Sequence, residues 1–326
     1  MKIFRISDLS QIISDSNFRV VALGFFDGIH IAHQEIIKNT VDLAKEENKI
    51  SSLITFTNSP KNFFTKEETK LLIPNNLKIS ILENLGIEEL YFLDFNESLR
   101  LISKEKFIDS VLKKINVTNV FCGEDYRFGY KGEGRPNFIS EYTDNKIKVL
   151  ATKTLKSFDK KISSTLLRNY ILNGKVELYK KLTNRFYQIS GIIVKGRQLG
   201  RTINFPTANL STNDDFLIPQ KYGVYITIVE VRGEFYKGIT NIGNNPTVSD
   251  NGKVFVETHI LDFDKEIYGE NFTIYFYKYI RPEQKFNSIN ELKEQLQLDK
   301  SKAEKIFIDF KNFANYNSKL ATSGKS

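Results

Sequence analysis

The sequence predicts an α/β domain built on a parallel sheet, followed by a small antiparallel β-barrel domain with C-terminal helices. Three observations predict it. The chain has 326 residues, and at about 150 residues per domain that suggests two. Up to about residue 182, short apolar runs alternate with amphipathic helical stripes, the pattern of a parallel sheet covered by helices. From Tyr187 on, strand-like segments follow one another through tight turns, which suggests a small barrel. The expected domains are residues 1–182 and 183–316, and the polar tail 317–326 reads as disordered.

Each element has its own signal. Val20–Leu23 is a short buried strand. His33–Glu47 is a helix with Ile36, Ile37, Val41 and Ala44 on one stripe. Ile50–Thr57 is the next strand, Asn76–Leu85 a helix ending at Gly86, and Glu89–Phe95 a strand. A helix over Lys104–Lys114 and strands over Val117–Cys122 and Lys146–Ala151 follow. Ser164–Leu172 is a helix stopped by Asn173-Gly174. The later strands are Tyr187–Lys195, Gly223–Val231, Glu234–Ile242, Val254–Leu261 and Asn271–Ile280, with Arg232-Gly233 fitting a hairpin turn. Ser288 and Glu291 form an S-x-x-E capping box ahead of an amphipathic helix. A last helix is expected from Lys302 to Phe313.

Composition excludes several classes. Hydrophobic residues are 40% and charged residues 26% of the chain, the balance of a globular protein with enough apolar material for more than one core. No apolar run approaches the roughly 20 residues of a membrane span. The N-terminal MKIFRISDLSQIISD is too polar for a signal peptide, and the single cysteine, Cys122, rules out an internal disulfide framework. The expectation is a cytoplasmic protein. The net charge of +8 raises nucleic-acid binding. Without a Lys/Arg block, leucine heptads or zinc-finger spacing, anionic small molecules account for it better. A zinc site needs three or four ligands, and beyond two histidines only Cys122, His259 and carboxylates remain. Oligomeric state is left open.

The stretch 24-GFFDGIHIAHQ-34 holds two of the three histidines, between a strand and a helix. In open α/β sheets ligands sit beyond the carboxyl ends of the strands. Gly24 and Gly28 let the backbone approach a ligand, and the helix N-terminus favours phosphate. His30 and His33 could add donors to phosphate oxygens, which suits transfer at phosphorus. In 162-ISSTLLRNYI-171, Ser163 or Ser164 can cap the helix, with Arg168 in or near its first turn. A bound anion would remove that cation's conflict with the helix dipole.

H-x-G-H and I-S-S-T-x-x-R in this order resemble the nucleotidyltransferase domain of bacterial bifunctional riboflavin kinase/FMN adenylyltransferases. The segment 53-LITFTNSP-60 is similar to that family's strand ending in F-x-P-H-P, and 122-CGEDYRFGYKGEG-134 to its G-x-D-F-R-F-G loop. The resemblance implies a Rossmann-like parallel sheet. It implies ATP held by Gly24, Phe25, Asp27, Gly28, His30, His33, Ser163, Ser164, Thr165 and Arg168, with His30, His33 and Arg168 catalytic. Pro60, Asp125 and Phe128 would lie near the flavin. Two positions depart from the pattern. Ala32 stands where the family has glycine, a change that is harmless at φ < 0 and costs about 1 kcal/mol at φ > 0. Asn58-Ser59 replaces the first two residues of P-H-P.

In the second half, neither Gly191…Gly196 nor the terminal Ser323-Gly324-Lys325-Ser326 is a phosphate-binding P-loop. The useful segment is Pro206-Thr207-Ala208-Asn209. A Thr hydroxyl and an Asn carbonyl two residues apart project to one side of an extended chain and could hold Mg²⁺ against ATP phosphates. In 254-VFVETHILDF-263, Glu257 shares a strand face with Phe255, His259 and Leu261. Partial burial there should raise its pKa, as a general base needs. Gly196…Asn209, Gly223–Tyr225, Thr240–Thr247, Glu257–Phe263 and Arg281–Glu283 together resemble riboflavin kinase. By that resemblance Thr207 and Asn209 bind Mg²⁺ and phosphates, and Glu257 is the base for the ribityl 5′-hydroxyl. Gly196, Gly200, Arg201 and Pro206 belong to the ATP site, and Arg281 sits on a loop near the flavin. Asn204 stands where the family has glycine, and Asn tolerates left-handed geometry.

The resemblance implies two reactions on one chain. ATP and Mg²⁺ convert riboflavin to FMN, and the α/β domain then adenylylates FMN to FAD with release of pyrophosphate. The departures leave open a kinase whose first domain has lost transferase activity. The basic charge alone motivates a third reading, a non-enzymatic flavin sensor that binds RNA or protein.

Overall fold

In the computed structural model the described residues form two units, 1–164 and 165–314. The residues described are 1–63, 69–153, 155–157, 160–196, 200, 203, 205–212, 217–244 and 254–314.

The first unit is a six-stranded parallel sheet between helices. Its strands are β1 (Lys2–Ile6), β2 (Arg19–Leu23), β3 (Ile50–Phe56), β4 (Glu89–Leu93), β5 (Val117–Gly123) and β6 (Lys148–Thr152), in the order β1-β4-β3-β2-β5-β6. Strand alternation sends successive side chains to opposite faces. Val20, Ala22, Leu53 and Leu90 pack on one face beneath α1 (Ile31–Glu46) and α2 (Asn75–Asn84). Val21, Leu23, Ile54 and Tyr91 pack on the other. That second face is covered by α4 (Lys104–Phe107) with its π-helical continuation Ile108–Lys113, and by α5 (Pro136–Tyr142); a single turn, α3 (Glu97–Arg100), precedes them. The helix expected over Lys104–Lys114 is therefore α-helical only in its first turn. A two-stranded hairpin, β7 (Lys156–Ser157) with β8 (Lys160–Lys161), leads to α6.

The second unit begins with α6 (Ser164–Leu172, its first residue counted with the sheet) and α7 (Val176–Thr183). The closed barrel then runs β9 (Tyr187–Val194), β10 (Ala208–Ser211), β11 (Gly223–Val231), β12 (Glu234–Asn244), β13 (Val254–Ile260) and β14 (Asn271–Arg281), in the order β10-β13-β12-β11-β14-β9. β10 bonds to both β13 and β9 and closes it. The expected hairpin stands at Arg232-Gly233, both at positive φ (53° and 77°), the geometry of a type I′ turn. A stripe of buried threonines, Thr227, Thr240 and Thr258, is linked by hydroxyl contacts of 2.9 Å.

The C-terminal helix α8 (Ile289–Glu304) is capped by Ser288, whose hydroxyl accepts the Glu291 N–H at 3.2 Å. Glu291 reaches back to the N–H of Asn287 rather than to that of Ser288. α8 runs through Lys302, so the expected last helix is corrected: residues 305–309 are non-helical and helix resumes over 310–314. The tail 317–326, Arg201 and Asn204 lie outside the described residues.

Candidate active sites

β2 turns to β3 on one side of the sheet while β5 turns to β6 on the other, so the topology switches between β2 and β5. A cavity of about 250 Å³ opens there, at the strands' carboxyl ends. It brings together Gly24, Phe25, His30, His33, Ser163 and Ser164 from the expected ATP set. His30 is the N-cap of α1; its Nδ1 accepts the His33 N–H at 3.2 Å, and the two rings stack with centroids 3.7 Å apart. The histidine spacing thus serves a cap and a stacked pair at a helix N-terminus, where phosphate is favoured.

The turn before His30 is strained. Phe26 (φ 50°), Gly28 (φ 85°) and the fully buried Ile29 (φ 40°) are left-handed, a conformation costly for a β-branched residue. The surrounding structure holds it. The Phe25 carbonyl accepts from the Thr55 hydroxyl at 2.7 Å and from Lys78 Nζ at 3.3 Å. The buried Asp27 carboxylate accepts the Leu72 N–H at 2.8 Å, and its carbonyl accepts the Ser164 hydroxyl at 2.7 Å. Asp27 and Gly28 shape the turn and are not among the cavity's lining residues. Ala32 does line it, as the second residue of α1 with helical backbone, so its methyl carries no φ penalty.

Asp125, expected beside Pro60 and Phe128, lines the histidine cavity instead and pairs with Lys161. Pro60 and Phe128 meet in a neighbouring cavity of about 670 Å³, with Phe56, Phe95, Phe107 and Tyr126. Tyr126 lines both cavities, and burial raises its hydroxyl pKa above the ordinary range. Tyr126, the aromatic walls and Lys78 were missed by sequence reasoning; the phenylalanines at 56 and 95, each just past or at the end of a strand, were the available signal for the walls. Thr165 and the half-buried Arg168 follow on α6 in the second unit.

In the barrel, ladder register builds a polar row. Asn209 on β10 stands opposite Glu257 on β13, and Glu257 stands opposite Asn241 on β12. Such neighbours share a face with Cβ atoms about 4.5–5.5 Å apart. Glu257 and Asn241 line a cavity of about 380 Å³ whose other wall is apolar, from Phe286, Ile289, Leu292 and Leu296 at and before α8. Asn241 was not singled out from the sequence, although it lies inside the Thr240–Thr247 segment. Thr207 lines this cavity and also a second one of about 340 Å³ formed with Pro206, Thr258 and Tyr268.

Two glycines keep the Thr207 segment in place. A side chain at Gly196 would put its Cβ 2.2 Å from Asn209 Nδ2, and one at Gly200 would fall 2.1 Å from the Phe205 carbonyl. His259 Nδ1 lies 2.9 Å from the Pro206 carbonyl, and its ring is 4.9 Å from that of Phe205. Burial lowers the His259 pKa, with the Pro206 contact acting against that. His259 is thereby a brace for the Pro206-Thr207 segment. Arg281 is the last residue of β14 rather than a loop residue; its guanidinium grips the fully buried Asp299 of α8 at 2.7–2.8 Å. It still lines the Glu257 cavity.

Comparison with known proteins accounts for both halves. Residues 12–166 match the FAD synthetase family model and residues 183–307 the riboflavin kinase model. The chain is 37% identical over 312 residues to the bifunctional riboflavin kinase/FMN adenylyltransferase of Bacillus subtilis (strain 168), covering 94% of this chain and 98% of that protein. The Listeria monocytogenes protein of the same name is 36% identical over 291 residues, covering 89% and 92%. A solved Streptococcus pneumoniae structure, described as a macrolide-efflux protein, is similar with a TM-score of 0.88 and 30% identity, over 94% of this chain and all of that one. No helix among the described residues is long and apolar enough to cross a membrane. With a stacked histidine pair at one sheet's switch point, a Glu257 row on one barrel, and both family models met in order, the chain belongs to the bifunctional riboflavin kinase/FMN adenylyltransferase family and carries both domains on one polypeptide.

Proposed function

We propose that residues 183–316 phosphorylate riboflavin at the Glu257 cavity and that residues 1–182 adenylylate FMN at the histidine cavity, in the cytoplasm. The observation that carries the kinase assignment is Thr207, shared by the Glu257 cavity and the cavity beside Pro206. A phosphoryl group passing from ATP to an alcohol needs one point where the two substrates meet. The apolar wall suits a flat flavin ring, and Glu257 takes the proton of the 5′-hydroxyl as its oxygen bonds to the γ-phosphorus and ADP departs. Gly196, Gly200, Arg201, Pro206, Thr207 and Asn209 serve ATP, and Arg281 borders the flavin.

The neutral oxygens of Thr207 and Asn209 are donors of the kind Mg²⁺ takes beside phosphate oxygens, and the Glu257 carboxylate across the ladder from Asn209 adds negative charge close by. Bound there, Mg²⁺ would offset phosphate charge.

For adenylylation, Gly24, Phe25, His30, His33, Ser163, Ser164, Thr165 and Arg168 serve ATP, with Asp27 and Gly28 shaping the turn behind it; Asp125 stands at the wall of that same cavity, and Pro60 and Phe128 lie on the flavin side. An FMN phosphate oxygen bonds to the α-phosphorus and the bond to the pyrophosphate oxygen breaks. His30 and His33 stabilise the charge in transit, and losing one such donor costs about 10²–10³ in rate. Tyr126, common to both cavities, supports reading them as the ATP and flavin ends of one site. The test is a time course with riboflavin, ATP and Mg²⁺, separating FMN from FAD by chromatography. FMN followed by FAD is the expected result; no FAD from supplied FMN overturns the transferase assignment.

A further inference from the structure

Lys78 is buried to 0% exposure on α2, behind the strained turn. Its Nζ donates to the Phe25 carbonyl at 3.3 Å and lies 4.9 Å from the Phe25 ring centroid and 5.9 Å from that of Phe92. That carbonyl already accepts the Thr55 hydroxyl at 2.7 Å, so satisfying it does not require a cation. A buried ammonium is costly unless something uses it. The charged group acting on it is Asp27, which raises its pKa, while burial, the larger effect, brings it down to about 8. The carbonyl it holds belongs to Phe25, which with Gly24 and Phe26 lines the histidine cavity.

We propose that Lys78 is a positioning residue for adenylyl transfer: from behind the turn it fixes the Phe25 carbonyl, holds the strained Phe26–Ile29 turn ready for ATP, and gives the cavity positive potential toward polyphosphate. The proposal rests on the histidine cavity being the ATP site. Its charge sets its pH range. Protonated below about pH 8, Lys78 supports the transferase and ceases to as pH rises through that value.

The experiment measures FAD formation from FMN and ATP between about pH 6.5 and 9.5, with riboflavin phosphorylation by the same samples as the control for folding. Lys78→Met, of similar length, raises KM for ATP in FAD formation about tenfold or more and leaves riboflavin phosphorylation within twofold of the parent. The parent's FAD rate falls through about pH 8; Lys78→Met lacks that fall, and Lys78→Arg moves it to higher pH. Should Lys78→Arg not fold, the comparison of parent with Lys78→Met still decides. Unchanged KM in Lys78→Met, the same pH profile in parent and Lys78→Met, or equal loss of both activities overturns the proposal. His30→Ala separates the two levels: full FAD formation in His30→Ala sinks the site reading, whereas an inactive His30→Ala beside an unaffected Lys78→Met sinks the Lys78 proposal alone.

Discussion

Asn58 clamps the backbone of Phe95: its Nδ2 donates to the Phe95 carbonyl at 3.2 Å and its Oδ1 accepts the Phe95 N–H at 3.1 Å. Asn58 follows β3 and Phe95 follows β4, so the amide extends the pairing of two parallel strands by one side chain. Phe95 in turn packs edge-on to Phe56 and Phe63, at 5.3 and 5.5 Å, and lines the cavity that holds Pro60 and Phe128. The departure from the P-H-P pattern therefore has its own structural use. Asn58→Ala removes both bonds, each worth about 1 kcal/mol. The expected result is a KM for FMN raised about three- to tenfold in FAD formation, with riboflavin phosphorylation unchanged. Steady-state kinetics of the two reactions on one sample check it, and equal effects on both reactions would count against a local role.

The Asn209–Glu257 pairing sets a second prediction. Glu257→Gln keeps the shape and the ladder but removes the carboxylate proposed as the base, so FMN formation should fall about 10²–10⁴-fold. FAD formation from supplied FMN should be untouched. A Glu257→Gln protein that phosphorylates riboflavin at the parent rate would remove Glu257 from the mechanism.

These contrasts show where the sequence was legible. β2, β3 and α1 carry strong periodic patterns and lie within a few residues of expectation. β1 was missed because it is a half-exposed edge strand, buried only at Ile6. The four residues of β10 are too few for a period, yet they close the barrel. α7 and α5 are short, and their apolar faces read as loop texture. At the sites, the histidine pair and the Glu257 segment were legible because rare residue types cluster there. Asp125's swap of cavities and the brace from His259 to Pro206 depend on where loops return in space, which local pattern does not encode. The π-helical stretch after α4 likewise keeps a helical stripe in the sequence while changing its hydrogen bonding.

Ala32 gives a third prediction. It stands in the first turn of α1, where helical φ costs alanine nothing. Ala32→Gly should leave the rate of FAD formation within about twofold and destabilise the first unit by up to about 1 kcal/mol. Thermal unfolding and FAD kinetics together check this. A tenfold gain in rate on removing the methyl would mean that Ala32 crowds the nucleotide.

Stability should depend on pH through Lys78. Its pKa falls from the ordinary 10.5 to about 8 in the folded protein, chiefly through burial, with Asp27 opposing. Between those values the unfolded chain binds more protons than the folded one, so stability rises with pH. Below about pH 8 both forms hold the proton and the full burial cost is present, at most about 3 kcal/mol from the size of the depression. Above about pH 10.5 the cost is gone. Lys78→Met has no proton to lose there, and its stability should be flatter with pH than the parent's across that window. Hydrogen exchange or denaturant unfolding of the sheet unit at about pH 7.5 and 9.5 measures the difference. Parallel curves for the parent and Lys78→Met would mean that the buried amine does not titrate in this range, and that the turn behind His30 is held without a switchable charge.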